Sequence, residues 1–228
     1  MGSGRLTDSY GGYRARLIED LRAKGIDDIA VLHAFGSTPR HLFVPEAFRH
    51  RAYDDIALPI GNGQTISQPS TQARYLVALR LNGHEKVLEV GTGSGYQAAL
   101  LSHLAASVIS VERVPELASA ARRALAAAGV SSVTVITGDG SLGWSAEGPY
   151  DAILVGAASP SVPEPLTRQL HDGGRLIIPV QRSTVQELLL VRREGDRLLE
   201  ESLGTVHFVP LLGRCGFDPA TPTTENSS

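Results

Sequence analysis

The chain has 228 residues, 42% of them hydrophobic, with 24 acidic against 21 basic side chains and a formal net charge of −3. That length suits one substantial core with an added segment rather than two independent domains, and its scattered Lys and Arg lack the electrostatic footprint of a nucleic-acid binder. A single cysteine, Cys215, excludes an intramolecular disulfide, a C-x-x-C redox pair and a cysteine zinc cluster.

The N-terminus lacks the apolar stretch of a signal peptide, and no window approaches the ~20 apolar residues of a spanning helix, so the expected setting is cytoplasmic. The seven histidines show no H-E-x-x-H or other metal spacing, and no metal is expected. Residues 1–12 read as a flexible N-terminus, with Gly2, Ser3 and Gly4 as a scar, and the Pro-, Thr- and Ser-rich stretch 214–228 as a flexible tail, where Asn226-Ser-Ser matches a glycosylation acceptor only formally.

In chain order, apolar residues at 17, 18 and 21 and then at 29, 31, 32 and 35 predict two short amphipathic helices over Tyr13 to Lys24 and Ile26 to Phe35. Asp54 to Thr65, with Pro59, Gly61, Asn62 and Gly63, is too irregular for an element, so residues 13–70 are expected to form a helical, loop-rich cap. Pro69 suits a helix entrance near Ser70. Read locally, Ser67 is a turn or capping residue.

The core follows, over residues 71–213. Lys86 to Val90 is a short apolar run directly before Gly91, Gly93 and Gly95, and the helical pattern of Gln97 to Ala105 comes next. This is a strand, a tight turn and a helix start, a junction where glycine lets the main chain approach a ligand and a helix N-terminus faces it. A dinucleotide fingerprint needs glycine at the sixth position, which is Tyr96, and no Lys followed by Ser or Thr completes a phosphate loop. The strand Ser107 to Val111 ends at Glu112, about 20 residues beyond the first glycine, where a carboxylate can accept both ribose hydroxyls.

Val133 to Ile136 leads into Thr137, Gly138, Asp139 and Gly140, a third loop at the same sheet edge. Asp139 is either an acceptor for an adenine amino group or an Asx turn between two glycines. A nucleoside without phosphates fits the three loops, which converge on S-adenosylmethionine. Tyr150 to Val155 is a strand, Pro163 to Leu170 a short helix and Gly174 to Val180 another strand; Val185 to Arg192 and Arg197 to Leu203 flank a turn, and Val206 to Leu211 is expected to return as a last strand. The predicted fold is α/β: a mixed, mostly parallel sheet with helices on both faces and antiparallel strands at its C-terminal end.

These motifs have a family likeness. The glycine loop, Gln64-Thr65-Ile66-Ser67-Gln68-Pro69 and Phe208-Val209-Pro210-Leu211, with Pro39-Arg40-His41 and Gly138-Asp139-Gly140 in support, closely resemble the protein-L-isoaspartate (D-aspartate) O-methyltransferase family over roughly Tyr13 to Gly213. The glycine loop is generic to Rossmann-like methyltransferases; the serine loop is particular to that family.

The resemblance implies methyl transfer from S-adenosylmethionine, leaving S-adenosylhomocysteine, to the free carboxylate of an L-isoaspartyl residue in a damaged peptide or protein. The ester then closes to a succinimide whose hydrolysis restores some normal aspartate. By matched position, Ser67 is the active-site serine that orients the substrate carboxylate. Gly91, Thr92, Gly93, Ser94 and Gly95 hold the methionine and ribose portion, Glu112 the ribose diol, and Asp139 with Gly140 the adenine. Gln64, Thr65 and Ile66 line the methyl-transfer end, Gln72 lies near the peptide, and Val209, Pro210 and Leu211 bracket it. A monomer acting on isoaspartyl peptides and proteins is expected.

Two rivals stay open at this stage. A relative that esterifies ordinary aspartate in a ribosomally made peptide would carry an added recognition segment, and only a short tail follows the family-like region. A silent S-adenosylmethionine-binding scaffold would have a degraded serine loop, and Thr65-Ile66-Ser67 is intact.

Overall fold

The computed structural model describes residues 10–218; the expected loose stretches at 1–9 and 219–228, with Gly2–Gly4 and Asn226-Ser-Ser, lie outside the described residues. Helix α1 (Gly11–Ala23) buries Leu17 and Leu21 and begins with two glycines that the sequence reading assigned to a loose end. In α2 (Ile29–Ser37) the Asp28 carboxylate accepts the Val31 N–H at 3.0 Å, satisfying one of the orphan donors of the first turn. Helix α3 (Pro69–Leu79) has proline at its first position, where no N–H is needed, and ends at Arg80 in the left-handed region.

Between α2 and α3 lies a correction. Strands β1 (Leu58–Gly61) and β2 (Gln64–Ile66) pair antiparallel where no element was expected. Asn62 (φ 52°) and Gly63 (φ 67°) occupy the turn with positive φ, the requirement of a two-residue hairpin whose twist matches its strands. Pro59 made the segment look irregular, but a two-stranded ribbon has an outer edge on which a missing N–H costs nothing.

The main sheet contains β3 (Lys86–Val90), β4 (Ser107–Glu112), β5 (Val133–Thr137), β6 (Tyr150–Val155), β7 (Leu170–Arg182), β8 (Val185–Glu194) and β9 (Arg197–Val206), in the order β5-β4-β3-β6-β7-β8-β9. β5 to β7 are parallel, while β8 and β9 are antiparallel, as the sequence predicts. Period-2 alternation sorts the side chains onto two faces: Val87, Val108, Ala152 and Leu154 join one apolar cluster, and Leu88, Val90, Ile109, Val111, Ile153 and Val155 the other. The cap helices cover the first face together with α4 (Tyr96–Leu101) and α5 (Pro115–Ala127), which contribute Ala98 to Leu101, Ala118 and Leu125. Against the second face, among the described residues, pack the short α6 (Glu164–Arg168), 3₁₀ turns at Gly140–Leu142 and Ser145–Glu147, and side chains of connecting segments such as Trp144, Val162, Val209 and Leu211.

Val206 to Leu211, expected as a last strand, takes another form. Beyond β9 this stretch is not a strand: it makes one bridge, Ala158 opposite Pro210, with the Ala158 N–H donating to Val209 O at 2.8 Å and the Leu211 N–H to Ala158 O at 2.7 Å. Pro210 has no N–H to extend the ladder. Gln186 holds the start of this stretch, donating to Phe208 O and accepting the Phe208 N–H. The described part of the tail, residues 214–218, packs back onto the molecule: Arg214 N–H donates to Asp139 and Cys215 N–H to Ser141 Oγ.

Candidate functional site

The chain leaves β3 for β4 and β5 on one side and returns to place β6 on the other, so the crevice at the carboxyl end of β3 is a topological switch point. Immediately past β3, Gly91 (φ 91°) and Gly93 (φ 53°) take backbone conformations that a β-carbon disfavours. Their turn is tied down twice: the Gly91 N–H donates to Val111 O at 2.9 Å and the Gly93 N–H to Glu112 Oε2 at 2.8 Å. Glu112 Oε1 accepts the Val114 N–H at 2.9 Å, so the carboxylate at the end of β4 is oriented by main-chain donors from two loops. Gly140 comes so close to β3 that an added β-carbon would stand 2.7 Å from Val90 Cγ1.

Two adjoining cavities meet at Thr65, Gly91, Gly93 and Gly156. The first is bounded by Ile66, Ser67, Gln72, Thr92 and Ser94, and by Tyr75, Glu89, Gln97 and Phe208. The second is bounded by Gln64, Val111, Glu112, Val114 and Gly140, and by Val209 to Leu212. Arg113 is the one Lys or Arg among their lining residues, which is no set for a pyrophosphate.

Alternation along β3 puts Glu89 on the Val87 face, beneath the cap and in the wall of the first cavity. Its side chain accepts from the Ser110 hydroxyl, which also bonds Thr92 Oγ1, while Oε1 has no partner among the described residues. Burial, reinforced by the negative Glu112, raises its carboxyl to about 8 despite the Ser110 hydrogen bond. Both amide atoms of Gln97 and the Tyr75 hydroxyl are likewise buried without a partner. Buried polar atoms are nearly always satisfied, so this ring of orphaned donors and acceptors marks a place for a polar ligand. Glu89 has no place in the motifs named above, although an acid inside an apolar strand is a signal in itself.

The serine loop is held from behind. Arg40, completely buried, donates through Nη2 to Ser67 O at 2.8 Å and through Nη1 to Gln72 Oε1 at 2.9 Å, and its guanidinium lies 4.6 Å from the centre of the Tyr96 ring. Lys24 pairs with Asp55, whose other oxygen accepts the Ser70 N–H at 2.7 Å at the start of α3.

Some expected site residues take other positions. Gly95 (φ 87°) lines neither cavity; its N–H closes the turn onto Thr92 O at 2.8 Å, and its α-carbon leaves only 3.2 Å between an added β-carbon and Ala121. Asp139 is absent from the walls as well. Its Oδ1 accepts from Ser141 N–H and Oγ–H, and Oδ2 from Arg214 N–H. Burial alone would raise this carboxyl, but those donors and the nearby Arg113 bring it below its ordinary value. The Asx-turn alternative describes its contacts, and only Gly140 of the pair reaches the cavity. Val209, Pro210 and Leu211 border the second cavity beside Glu112, while Phe208 reaches the first.

Among the described residues no helix is long and apolar enough to cross a membrane, and no group of three or more His, Cys, Asp or Glu side chains is placed to hold a metal ion.

A mostly parallel sheet with a glycine turn at its switch point, an acid at the end of the next strand and a neighbouring polar chamber define the Rossmann-like methyltransferase class. The family model described as Protein-L-isoaspartate(D-aspartate) O-methyltransferase matches residues 13–216, and the chain belongs to that family. It is 53% identical to the protein-L-isoaspartate O-methyltransferase of Methanoculleus marisnigri over 206 residues, covering 90% of this chain and 93% of that one. It is 47% identical to the enzyme so named from Dictyoglomus thermophilum, over 92% and 96% of the two chains. One solved protein-L-isoaspartate O-methyltransferase superposes with a TM-score of 0.83 at 31% identity, covering 89% of this chain and 67% of its own. A second, from Plasmodium falciparum and in complex with S-adenosyl-L-homocysteine, gives 0.76 at 26% identity over 88% and 98%.

Proposed function

We propose that this chain transfers a methyl group from S-adenosylmethionine to the free carboxylate of L-isoaspartyl residues in peptides and proteins, starting their repair through a succinimide. The observation that carries this reading is the meeting of the two cavities at Thr65, Gly91 and Gly93, which sets Ser67 beside the glycine turn. The fit of the cofactor rests on the orphaned polar atoms of Glu89, Gln97 and Tyr75 and on the scarcity of cationic groups in the cavity walls.

In this reading Gly91, Thr92, Gly93 and Ser94, with Glu89 and Gln97, hold the methionine and ribose portion, Glu112 takes the ribose diol, and Gly140 backs the base. Asp139 acts through the turn that presents Gly140. Gln64, Thr65 and Ile66 form the wall at the reactive end, and Val209, Pro210 and Leu211 the wall beside the adenosyl portion. Ser67 orients the acceptor carboxylate, with Gln72 and Phe208 alongside. Residues 13–70 serve as cap and substrate loop on the 71–213 core, and the protein acts as a cytoplasmic monomer.

When bound, S-adenosylmethionine supplies a sulfonium whose methyl is open to attack. The acceptor needs no strong base, because a carboxyl with a reference pKa of about 4 is ionised at neutral pH. With that group bound in the cavities, an acceptor oxygen oriented by Ser67 would take the methyl, and the sulfonium would leave as a neutral thioether. The protein's task is to hold that oxygen ~3 to 3.5 Å from the carbon, in line with the sulfur, and to strip water from the anion. Mass spectrometry of an isoaspartyl peptide incubated with enzyme and S-adenosylmethionine tests the reading: a methyl ester that decays to succinimide is expected, and an unmodified peptide counts against it.

A further inference from the structure

We infer that Gln72 is a second donor to the acceptor carboxylate, presented amide-nitrogen first because Arg40 fixes its orientation. This rests on the methyl-transfer reading above and adds to it a specificity-determining pair.

An Asn or Gln amide has an accepting end and a donating end, and which one faces a site is decided by its partners. Here the choice is forced. Arg40 has five N–H donors and no acceptor, so the atom of Gln72 that meets Nη1 at 2.9 Å is its oxygen. Gln72 Nε2 therefore points the other way. It has no hydrogen-bond partner among the described residues, and it is not among the buried polar atoms left unpartnered, although the residue as a whole is 4% exposed. The open space beside it is the first cavity, whose wall Gln72 shares with Ser67.

The same guanidinium grips the carbonyl of Ser67 at 2.8 Å, so one rigid planar fork sets both the serine and the glutamine. No carboxylate bonds directly to Arg40 among the described residues; Asp55 acts on it only at longer range, and its ring contact with Tyr96 and its two carbonyl acceptors are all neutral. A buried positive charge so placed, directly behind two donors, favours an anion in front of them. Together the hydroxyl of Ser67 and the amide of Gln72 can take both oxygens of one carboxylate.

A purely structural Gln72 and a carboxylate-binding Gln72 respond in opposite ways to Gln72→Glu. Glutamate would give buried Arg40 a counter-ion, so a structural role makes the variant at least as stable and as active as the wild type. A binding role makes it poor, because the group now facing the acceptor is another anion. We expect kcat/KM for an isoaspartyl peptide to fall more than a hundredfold in Gln72→Glu and about tenfold in Gln72→Met, the size of a lost hydrogen bond to a charged group. The Kd for S-adenosylhomocysteine should stay within threefold in both. Arg40→Lys, which keeps the charge but not the fork, should lower kcat/KM several-fold; should it fail to fold, the Gln72 pair decides alone.

Undiminished kcat/KM in Gln72→Glu, with an active wild type, overturns the inference and leaves the methyl-transfer reading standing. A wild type that methylates no isoaspartyl peptide overturns both.

Discussion

The Gly93 amide donates to Glu112 Oε2 at 2.8 Å, joining the glycine turn after β3 to the acid that ends β4. With Oε1 on Val114 N–H, the carboxylate is held at the wall of the second cavity, where we propose that it accepts the ribose hydroxyls. Removing it in Glu112→Ala is expected to cost the proposed ribose contact and to loosen both loops. Titration calorimetry with S-adenosylhomocysteine should show affinity lower by roughly ten- to hundredfold, the range for a hydrogen bond to a charged group. Unchanged affinity would place the cofactor elsewhere.

Ser67 has the reverse signature. Its carbonyl is anchored by Arg40 whatever its side chain, so Ser67→Ala leaves the loop in place and deletes only the hydroxyl. We expect kcat for an isoaspartyl peptide to drop about tenfold or more while cofactor affinity holds. Full turnover in this variant would reduce the serine to a turn residue.

Glu89 makes stability depend on pH. Burial raises its carboxyl from an ordinary 4.5 to about 8, so between those values the folded chain keeps a proton that the unfolded chain has released. The contribution of this group is fully present below about 4.5 and is lost as pH rises toward 8, at up to ~1.4 kcal/mol per pH unit. Glu89→Gln cannot ionise. Denaturant midpoints measured across this window should decline less steeply in the variant than in the wild type, and parallel profiles would mean that the carboxyl ionises at its usual pH.

Gly95 separates turn from ligand contact. Its φ of 87° and its closeness to Ala121 make Gly95→Ala destabilising by about 1–3 kcal/mol, a cost that thermal or denaturant melts will register. Because Gly95 borders neither cavity, the folded fraction should bind S-adenosylhomocysteine nearly as well as the wild type.

The sheet was legible because its strands are short apolar runs punctuated by glycine, and the Gly91 loop and Glu112 stand where their spacing placed them; Ser67 reads locally as a turn residue, and only the family resemblance points to it as a site residue. Helix α5 went unread although Pro115 at its first position and apolar residues at 117, 118, 121 and 125 mark it; its other positions are mostly alanine and arginine, which blur the period. The β1–β2 hairpin was hidden by Pro59, and the Asn62-Gly63 turn outweighs that proline. Val206 to Leu211 has a strand's composition, but Pro210 and the Gln186 clamp turn it into a crossing segment. Arg40, Gln72 Nε2 and the Asp139–Arg214 contact come from long-range packing, which no local pattern encodes.

The choice of acceptor is tested most directly by two synthetic peptides of one sequence that differ only in an isoaspartyl or a normal aspartyl linkage, offered together with labelled S-adenosylmethionine. Base-labile methyl should accumulate on the isoaspartyl peptide and leave the other essentially unlabelled. Preferential labelling of the normal peptide, or of neither, would contradict the assignment.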